Sequence, residues 1–432
     1  MESRTFRLVT ILIIASFTLL FVAGCGGGET PTPPVEETTV TETEPVSEME
    51  EVVLDMWHWA ANKEPIYQVA IAEYKELHPN VSIQTNVIPT DAWQQTLTAA
   101  LVGGEAPEIL TGVIMGMVLE QWDNDQIVDL TPYIDEEWEA ALYPAAWDAL
   151  TIDGRILSVS FASNNIQCFY NKTRFEELGI ETPIETMDEL QEATQVLREA
   201  GFGGGLYWAS EKQLTHQFFL NAARQMYPEE FDAADRGDGR WDIPEFIEIM
   251  EQVHSYSDIW EEGVVSMSLD EAVNSFASGK ASFYFIGNWA INSIVANEPD
   301  FEIATFPVPA LNDQTKPSAL YSLAGTWMIS NQHPQDIQEI GIDFLRFFAL
   351  NYQDELMRQI GLCPSGPAGE NAFPDAHPLA QELCDDSDKL VARDMFDRII
   401  RDELAIATQG MLTGALTPEE VLQTVQEAKE SK

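Results

Sequence analysis

Between residues 52 and 114 the sequence alternates strand-like and helix-like segments, and this alternation constrains the fold more than any other feature. Three segments are short, rich in apolar and β-branched residues, and bounded by polar or turn residues, as in strands. They read VVLDMWHWA (52–60), VSIQTNVIP (81–89) and EILTGVI (108–114). They are separated by two longer segments, so the order is strand, helix, strand, helix, strand. That order predicts a parallel sheet built from βαβ units.

The two intervening segments have apolar residues spaced three and four apart, which predicts amphipathic helices. They read EPIYQVAIAEYKELHP (64–79) and DAWQQTLTAALVGGEAP (91–107). We expect Pro79 to end the first helix. In the second, we expect Asp91 to cap the beginning, and Gly103 and Gly104 to end it.

Beyond residue 170 the pattern changes and helices dominate. The clearest are MDELQEATQVLREA (187–200), QLTHQFFLNAARQMY (213–227) and IPEFIEIMEQVHSY (243–256). Two strands follow at 281–287 and 302–309, and then further helices. The chain after residue 52 exceeds the roughly 250–300 residues at which one core stops growing, so we expect two lobes.

The amino terminus predicts a lipoprotein signal peptide at 1–24. Arg4 and Arg7 precede an apolar run at 8–23, which is shorter than the roughly 20 residues of a membrane-spanning helix. The run ends in VAGC, which resembles the lipobox of prokaryotic lipoproteins, with Cys25 as the lipidated residue. Residues 25–51 are mostly Gly, Pro, Thr, Glu and Val, and we expect a disordered, lipid-anchored spacer.

Charge and cysteine content exclude several classes of function. The chain has 72 acidic and 22 basic residues, a net charge of −50, which makes nucleic acid a poor partner. The acidity fits either a high-salt habitat or an ordinary acidic secreted protein. Cys363 and Cys384 flank a Pro- and Gly-rich loop and are disulfide candidates, whereas Cys168 lies in an apolar run and should be buried. No CxxC pair supports a zinc or redox site.

Aromatic and amide residues follow several predicted strands, where ligands bind in parallel α/β sheets. The sequences at these ends are WHW (57–59), VIM (113–115) and GNW (287–289). Flat rings beside amide and imidazole groups suit a sugar, whose C–H faces stack on rings while its hydroxyls form hydrogen bonds. Four other tryptophans are expected to be core residues: Trp122, Trp138, Trp147 and Trp260.

Four segments, in order, resemble the extracellular solute-binding proteins of ABC importers, the family that includes maltose-binding protein. They are AALVGGEAPEIL (99–110), CFYNKTRFEELGIETPIETMDEL (168–190), SFASGKASFYFIGNWA (275–290) and AGTWMISNQHPQDIQEIGIDFLRFF (324–348). Met187 stands where the family usually has Trp. The resemblance implies a two-lobed, periplasmic-binding-protein-like α/β fold of type II, with discontinuous lobes joined by hinge strands. It also implies a carbohydrate ligand, permease subunits as partners, a monomer, no cofactor and no catalysis.

The resemblance places the crossings between lobes near 165–166, 305–307 and 348–351. Lobe one is then 53–165 plus 306–348, and lobe two is 166–305 plus 349–425. In this interpretation the lobes close over the ligand by hinge bending. The protein would be held at the outer face of the cytoplasmic membrane by its lipid.

The same resemblance assigns ligand contacts along both lobes, with Trp59 and Trp289 as the foremost stacking residues. The predicted contacts are His58, Trp59, Asn62, Trp93, Met115, Asn164, Trp208, His216, Asn288, Trp289, Gly325 and Trp327. No metal ligands are predicted.

Three alternatives stay open at this stage. An enzyme has little support, because no HExxH, GxSxG or P-loop motif occurs. Metal transport would rest on four Asp residues in DAADRGDGRWD (232–242), whose spacing is not that of an EF-hand. The same fold could instead bind a polyamine, a glycerol phosphate or a peptide, or serve a sensor rather than a permease.

Overall fold

The computed structural model describes residues 50–112, 115–207, 216–367, 377–385, 390–392 and 397–431. The signal peptide, Cys25, the spacer up to residue 49, and Trp208 lie outside the described residues. Among the described helices, none has both the length and the apolar character needed to cross a bilayer.

The strands of the described chain form two larger sheets and one small hairpin. In chain order they are β1 (Val52–His58), β2 (Val81–Val87), β3 (Ile109–Gly112), β4 (Thr151–Ile152), β5 (Arg155–Ile156), β6 (Ala162–Asn171), β7 (Gly205–Tyr207), β8 (Phe283–Gly287), β9 (Ile303–Phe306), β10 (Ala319–Leu323), β11 (Thr326–Ile329), β12 (Cys363–Pro364) and β13 (Leu390–Ala392).

The first sheet confirms the predicted βαβ arrangement. Its order is β11-β3-β1-β2, with β1 parallel to both β2 and β3, and β11 antiparallel to β3. Neighbouring residues of one strand, such as Ile109 and Leu110, lie in separate cores on the two faces of the sheet. Both faces are therefore covered, which explains why β3 and β11 are buried at every position rather than at alternate ones.

The second sheet is mixed and centres on β6. Its order is β13-β10-β6-β8-β7, and β9 and β12 also pair with β6. β8, β9, β10 and β12 are antiparallel to β6, whereas β7 is parallel to β8 and β13 is parallel to β10. As the strand next to β8, β9, β10 and β12, β6 is buried along nearly all its length.

Helices cover these sheets and form a further core of their own. They are α1 (Glu64–Leu77), α2 (Thr90–Gly103), α3 (Met115–Asp123), α4 (Glu136–Ala141), α5 (Pro144–Leu150), α6 (Lys172–Glu177), α7 (Met187–Glu199), α8 (Gln217–Met226), α9 (Pro228–Asp235), α10 (Pro244–Ser255), α11 (Leu269–Ala277), α12 (Ile291–Ala296), α13 (Gln335–Asn351), α14 (Gln353–Ile360), α15 (Pro378–Asp385), α16 (Arg398–Leu412) and α17 (Pro418–Glu430). Short 3-10 helices occupy Ala61–Lys63, Thr131–Tyr133, Ser257–Ile259, Val264–Ser266 and Asn288–Ala290.

Local sequence signals explain where several helices begin and end. Capping boxes begin α7, α11 and α17, where Thr186, Ser268 and Thr417 each accept a bond from a glutamate backbone N–H three residues on. Gly104, in the left-handed conformation, ends α2 as expected. The prediction for Asp91 was wrong: α2 begins at Thr90, so the residue before it is Pro89.

The predicted lobe boundaries stay a prediction. The sheets and cores show where the segments on either side of them pack. β10 lies within 306–348, the range assigned to lobe one, and pairs with β6 of the second sheet. α14 lies within 349–425, the range assigned to lobe two. Its residues Leu356 and Ile360 pack in the core beneath the first sheet. The chain therefore passes from the second sheet to the first near residues 323–326, where β10 ends and β11 begins.

Candidate ligand-binding site

The passage from β10 to β11, residues 322–325, is where several of the predicted contact residues meet. Gly325 has φ +88°, a conformation that side chains other than glycine rarely adopt. A Cβ atom at this position would lie 2.8 Å from Cη2 of Trp59. The glycine therefore allows both the turn and the close approach of the Trp59 ring, which is partly exposed and lies 5.7 Å from the ring of Trp93.

Lys63 contacts the same passage from the 3-10 helix that follows β1. Its Nζ donates a 2.7 Å hydrogen bond to the carbonyl oxygen of Ala324. Burial lowers the pKa of Lys63 to about 8. No carboxylate in the described part of the chain forms an ion pair with this ammonium group. The sequence prediction included Asn62 but not Lys63, although both residues follow β1.

Asn164, at the beginning of β6, also contacts the passage. Its Nδ2 donates to Ser322 Oγ at 3.2 Å and to the carbonyl oxygen of Leu323 at 3.3 Å. This contact follows from the antiparallel register of β6 and β10, which places Asn164 opposite Ser322. Asn164 is partly exposed, so its amide oxygen is available in a position close to the passage.

Trp289 follows β8 and lies between the two cores. Its ring packs against core residues of both the first and the second sheet, and it remains partly exposed. It also lies against Gly287, where a Cβ atom would overlap the ring of Trp289. Trp59 and Trp289 thus present partly exposed rings at the ends of strands from the two sheets.

Several other predicted contacts are buried in this structure, and their role in ligand binding stays a prediction. His58, Trp93 and His216 are 1% exposed and Asn288 is not exposed at all. Trp327 and Met115 are also buried, at 5% and 6%. Two of them contact other predicted residues: the Trp93 ring lies 5.7 Å from that of Trp59, and the His58 ring lies 6.3 Å from that of Trp327. Asn62 is exposed.

His58 shows how such a buried polar side chain is held in the interior. Its Nε2 lies 2.7 Å from Glu64 Oε2, and its ring makes an edge contact with Tyr67 at 4.9 Å. Burial lowers the pKa of His58 despite the hydrogen bond with Glu64, so the ring is neutral at pH 7. Burial alone would raise the pKa of Glu64, but hydrogen bonds from Thr85, Gln68 and His58 outweigh it and keep that pKa low.

A groove of about 600 Å³ separates α3 and the β4–β5 turn from the region where α9 ends and α16 begins. Leu119 and Ile152 line one side and Ile399 the other. Carboxylates line both sides as well, among them Asp153 and Asp397, and outnumber the one basic lining residue, Arg236. These charges disfavour an anionic ligand in the groove, whereas Lys63 provides a positive charge at the passage.

In the described ranges, no group of three or more His, Cys, Asp or Glu side chains is arranged to hold a metal ion. Cys363 and Cys384 form a disulfide with Cα atoms 5.4 Å apart, as predicted, and Cys168 is a buried free thiol.

Comparison with known families matches residues 60–352 to the bacterial extracellular solute-binding proteins. Among curated relatives, an ABC transporter extracellular-binding protein of Pyrococcus horikoshii is 19% identical over 315 residues, 71% of each chain. The multiple sugar-binding protein of Streptococcus mutans is 23% identical over 61% of this chain and 63% of its own length. Binding proteins of Brucella abortus and Brucella suis match at 22% identity, and this chain spans 63% of their length.

Solved structures share the fold over nearly their whole length. A chitin oligosaccharide binding protein superposes with a TM-score of 0.77 at 17% identity, covering 88% of this chain and 98% of its own. A maltose-bound protein of T. maritima gives 0.73 at 18%, covering 88% and 99%. The fold is therefore the two-lobed α/β fold of type II periplasmic binding proteins, and the chain belongs to the family of bacterial extracellular solute-binding proteins.

Proposed function

We propose that this chain is the substrate-binding lipoprotein of an ABC importer and captures a carbohydrate between its two lobes. The observation that supports this best is the pair of partly exposed rings, Trp59 and Trp289, at strand ends of the two sheets. The amide of Asn164 and the ammonium group of Lys63 lie at the passage between those sheets. Rings stack on sugar C–H faces, and amide and ammonium groups form hydrogen bonds with hydroxyls.

The printed names of relatives agree with a carbohydrate ligand. One curated relative is a multiple sugar-binding protein, and two of the solved structures are a chitin oligosaccharide binding protein and a maltose-bound protein. In the proposed mechanism, the lobes close over the sugar by bending at the crossings between them, and the closed form is recognised by the permease. The protein supplies no catalysis.

The site of action follows from the amino terminus. We propose that Cys25 bears the lipid and that the spacer to residue 51 holds a monomeric binding domain at the outer face of the cytoplasmic membrane. Proline and like-charged glutamates extend such a spacer, which allows the domain to reach a permease in the same membrane.

A second candidate ligand class is an anionic solute such as a glycerol phosphate. Lys63 favours it, because its ammonium group has no ion-pair partner among the described residues and lies beside the passage at 322–325. The net charge of −50 opposes it, because the excess of carboxylates repels an anion.

A thermal-shift screen of the mature chain with Cys25→Ser tests the proposal. The probes are xylotriose, chitotriose and maltotriose, with spermidine, glycerol 3-phosphate and an amino-acid mixture as charged or small controls. A probe at 100 times its dissociation constant should add about 2.7 kcal/mol of stability. Stabilisation by one neutral trisaccharide supports carbohydrate capture. Stabilisation by a charged control alone overturns the carbohydrate assignment.

A further inference from the structure

Asn288, predicted as a ligand contact, is instead buried at a junction of three chain segments. Its side chain has no exposed surface. Its Oδ1 accepts a 3.2 Å hydrogen bond from the backbone N–H of Asn165. Its Nδ2 donates to the carbonyl oxygen of Ser163 at 3.2 Å and lies 3.4 Å from Sγ of Cys363. Both ends of the amide are therefore engaged by protein atoms.

The partners of Asn288 belong to the central strand of the second sheet and to the strand beside it. Ser163 and Asn165 lie on β6, and Cys363 of β12 pairs with Ser163 in antiparallel register. The disulfide joins Cys363 to Cys384 on α15. Asn165 also donates through its own Nδ2 to the carbonyl oxygen of Leu383, next to that cysteine. One buried amide thus fastens the end of β8 to a cross-linked part of the structure.

The residue after Asn288 is Trp289, which is partly exposed between the two cores. Both residues belong to the same short 3-10 helix, Asn288–Ala290. One turn with few bonds of its own has little intrinsic stability. Its orientation, and with it the direction of the Trp289 ring, must come from tertiary contacts, and Asn288 supplies three polar ones.

We infer that Asn288 is a positioning residue, which holds the Trp289 ring in place through its bonds to β6 and β12. The inference rests on the proposed function for the role of Trp289 in sugar binding, but the placement of the ring can be tested without any sugar. A buried amide that bonds to three distant groups resists rotation, because each lost bond would leave a buried polar atom without a partner.

The first test uses 19F NMR of the full mature chain labelled with 5-fluorotryptophan. Eleven tryptophans give the resonances, and that of Trp289 is identified by its absence in Trp289→Phe. We expect Asn288→Ala to shift or broaden the Trp289 resonance while leaving that of Trp241, buried in the helical core, in place. An unmoved Trp289 resonance in folded Asn288→Ala overturns the inference.

A matched control comes from the far end of β6. Asn171 is also buried, and its side chain accepts a hydrogen bond from the backbone N–H of Arg174 at the beginning of α6. Asn171→Ala should lower stability without moving the Trp289 resonance. If both alanine variants move it equally, general loosening of the second sheet explains the effect, and the positioning role fails.

The isosteric variant Asn288→Asp provides a test that does not depend on the alanine variant folding. A protonated carboxyl can donate to the carbonyl of Ser163 as the amide does, whereas an ionised one cannot. We expect the Trp289 resonance to approach its wild-type position at pH 5 and to leave it at pH 8. A resonance independent of pH in this variant contradicts the inference.

A double-mutant cycle then connects placement to affinity, with the trisaccharide that stabilises most in the screen as the probe. Residues that act through one another show non-additive losses. We expect Asn288→Ala to weaken binding at least about fivefold when Trp289 is present, and less than about twofold in a Trp289→Ala background. Equal losses in both backgrounds overturn the coupling. If no trisaccharide binds, the proposed function is contradicted. The NMR result then tests by itself whether Asn288 positions the Trp289 ring.

Discussion

Single residues at strand ends differ in whether they are exposed near the passage at 322–325 or buried. Trp59 can lie against the turn only because residue 325 is a glycine with positive φ. His58, its neighbour, is buried and contacts Glu64 and Tyr67. The two neighbours therefore differ in exposure, since Trp59 follows the strand and is partly exposed whereas His58 ends it and is buried.

The buried, neutral state of His58 predicts a pH effect on stability. Its folded-state pKa lies below the ordinary value of 6.5, so as the pH falls the unfolded chain takes up a proton first. The stability contribution is complete above about 6.5 and is lost as the pH falls through the lower, folded-state pKa. We expect the melting temperature to fall less between pH 7.5 and 5.5 in His58→Gln than in the wild type.

The control for this prediction is His78→Gln, since the His78 side chain is 41% exposed. That variant should keep the acid sensitivity of the wild type. Equal acid sensitivity in His58→Gln and the wild type would show that another group is responsible.

At the level of elements, the disulfide joins β12 to α15 across 21 residues. Closing a loop of that length lowers the entropy of the unfolded chain by an amount worth about 3 kcal/mol. We therefore expect the double variant Cys363→Ser/Cys384→Ser to lose about 3 kcal/mol in free energy of unfolding, measured by urea titration.

Dithiothreitol provides the matched control for that loss. Reduction should destabilise the wild-type chain by a similar amount and leave the double serine variant unchanged. Sensitivity of the serine variant to the reductant would mean that the loss does not come from this bond.

Helix ends show how far local chemistry extends. The capping boxes at Thr186, Ser268 and Thr417 and the glycine after α2 are visible in the sequence, because each involves residues no more than four apart. The wrong assignment at Asp91 has a local cause too. Pro89 has an extended conformation and begins the helix without a side-chain cap.

For the whole molecule, the excess of negative charge dominates the electrostatics. With 72 acidic and 22 basic residues, the net charge is −50, so most carboxylates have no Lys or Arg partner. Their mutual repulsion destabilises a compact chain and is screened by salt. We expect the melting temperature to rise by on the order of 5 °C between 20 mM and 1 M NaCl.

Sodium sulfate at matched ionic strength separates screening from other salt effects. Below about 0.3 M ionic strength, where screening changes most, the two salts should give the same rise. A melting temperature that stays flat or falls with NaCl would refute the electrostatic explanation.

Much of the molecule could be predicted from the order of residues alone: the succession of strands and helices, the parallel start of the first sheet, the disulfide and the family. These features depend on periodicity, turn chemistry and ordered motifs, which are local properties of the chain. For the candidate site, the same reasoning proposed Trp59, Asn164, Trp289 and Gly325, and the structure places each of them near the beginning or end of a strand.

Which of the predicted contacts are exposed became clear from the packing of the folded chain. Asn288 is buried against partners on β6 and β12 that lie between 75 and 125 residues away in the sequence. Lys63 donates to a carbonyl oxygen of the passage that lies 261 residues away. No local pattern encodes such contacts. They arise when separate elements pack together, since burial depends on the neighbours that the fold supplies and not on the residue itself.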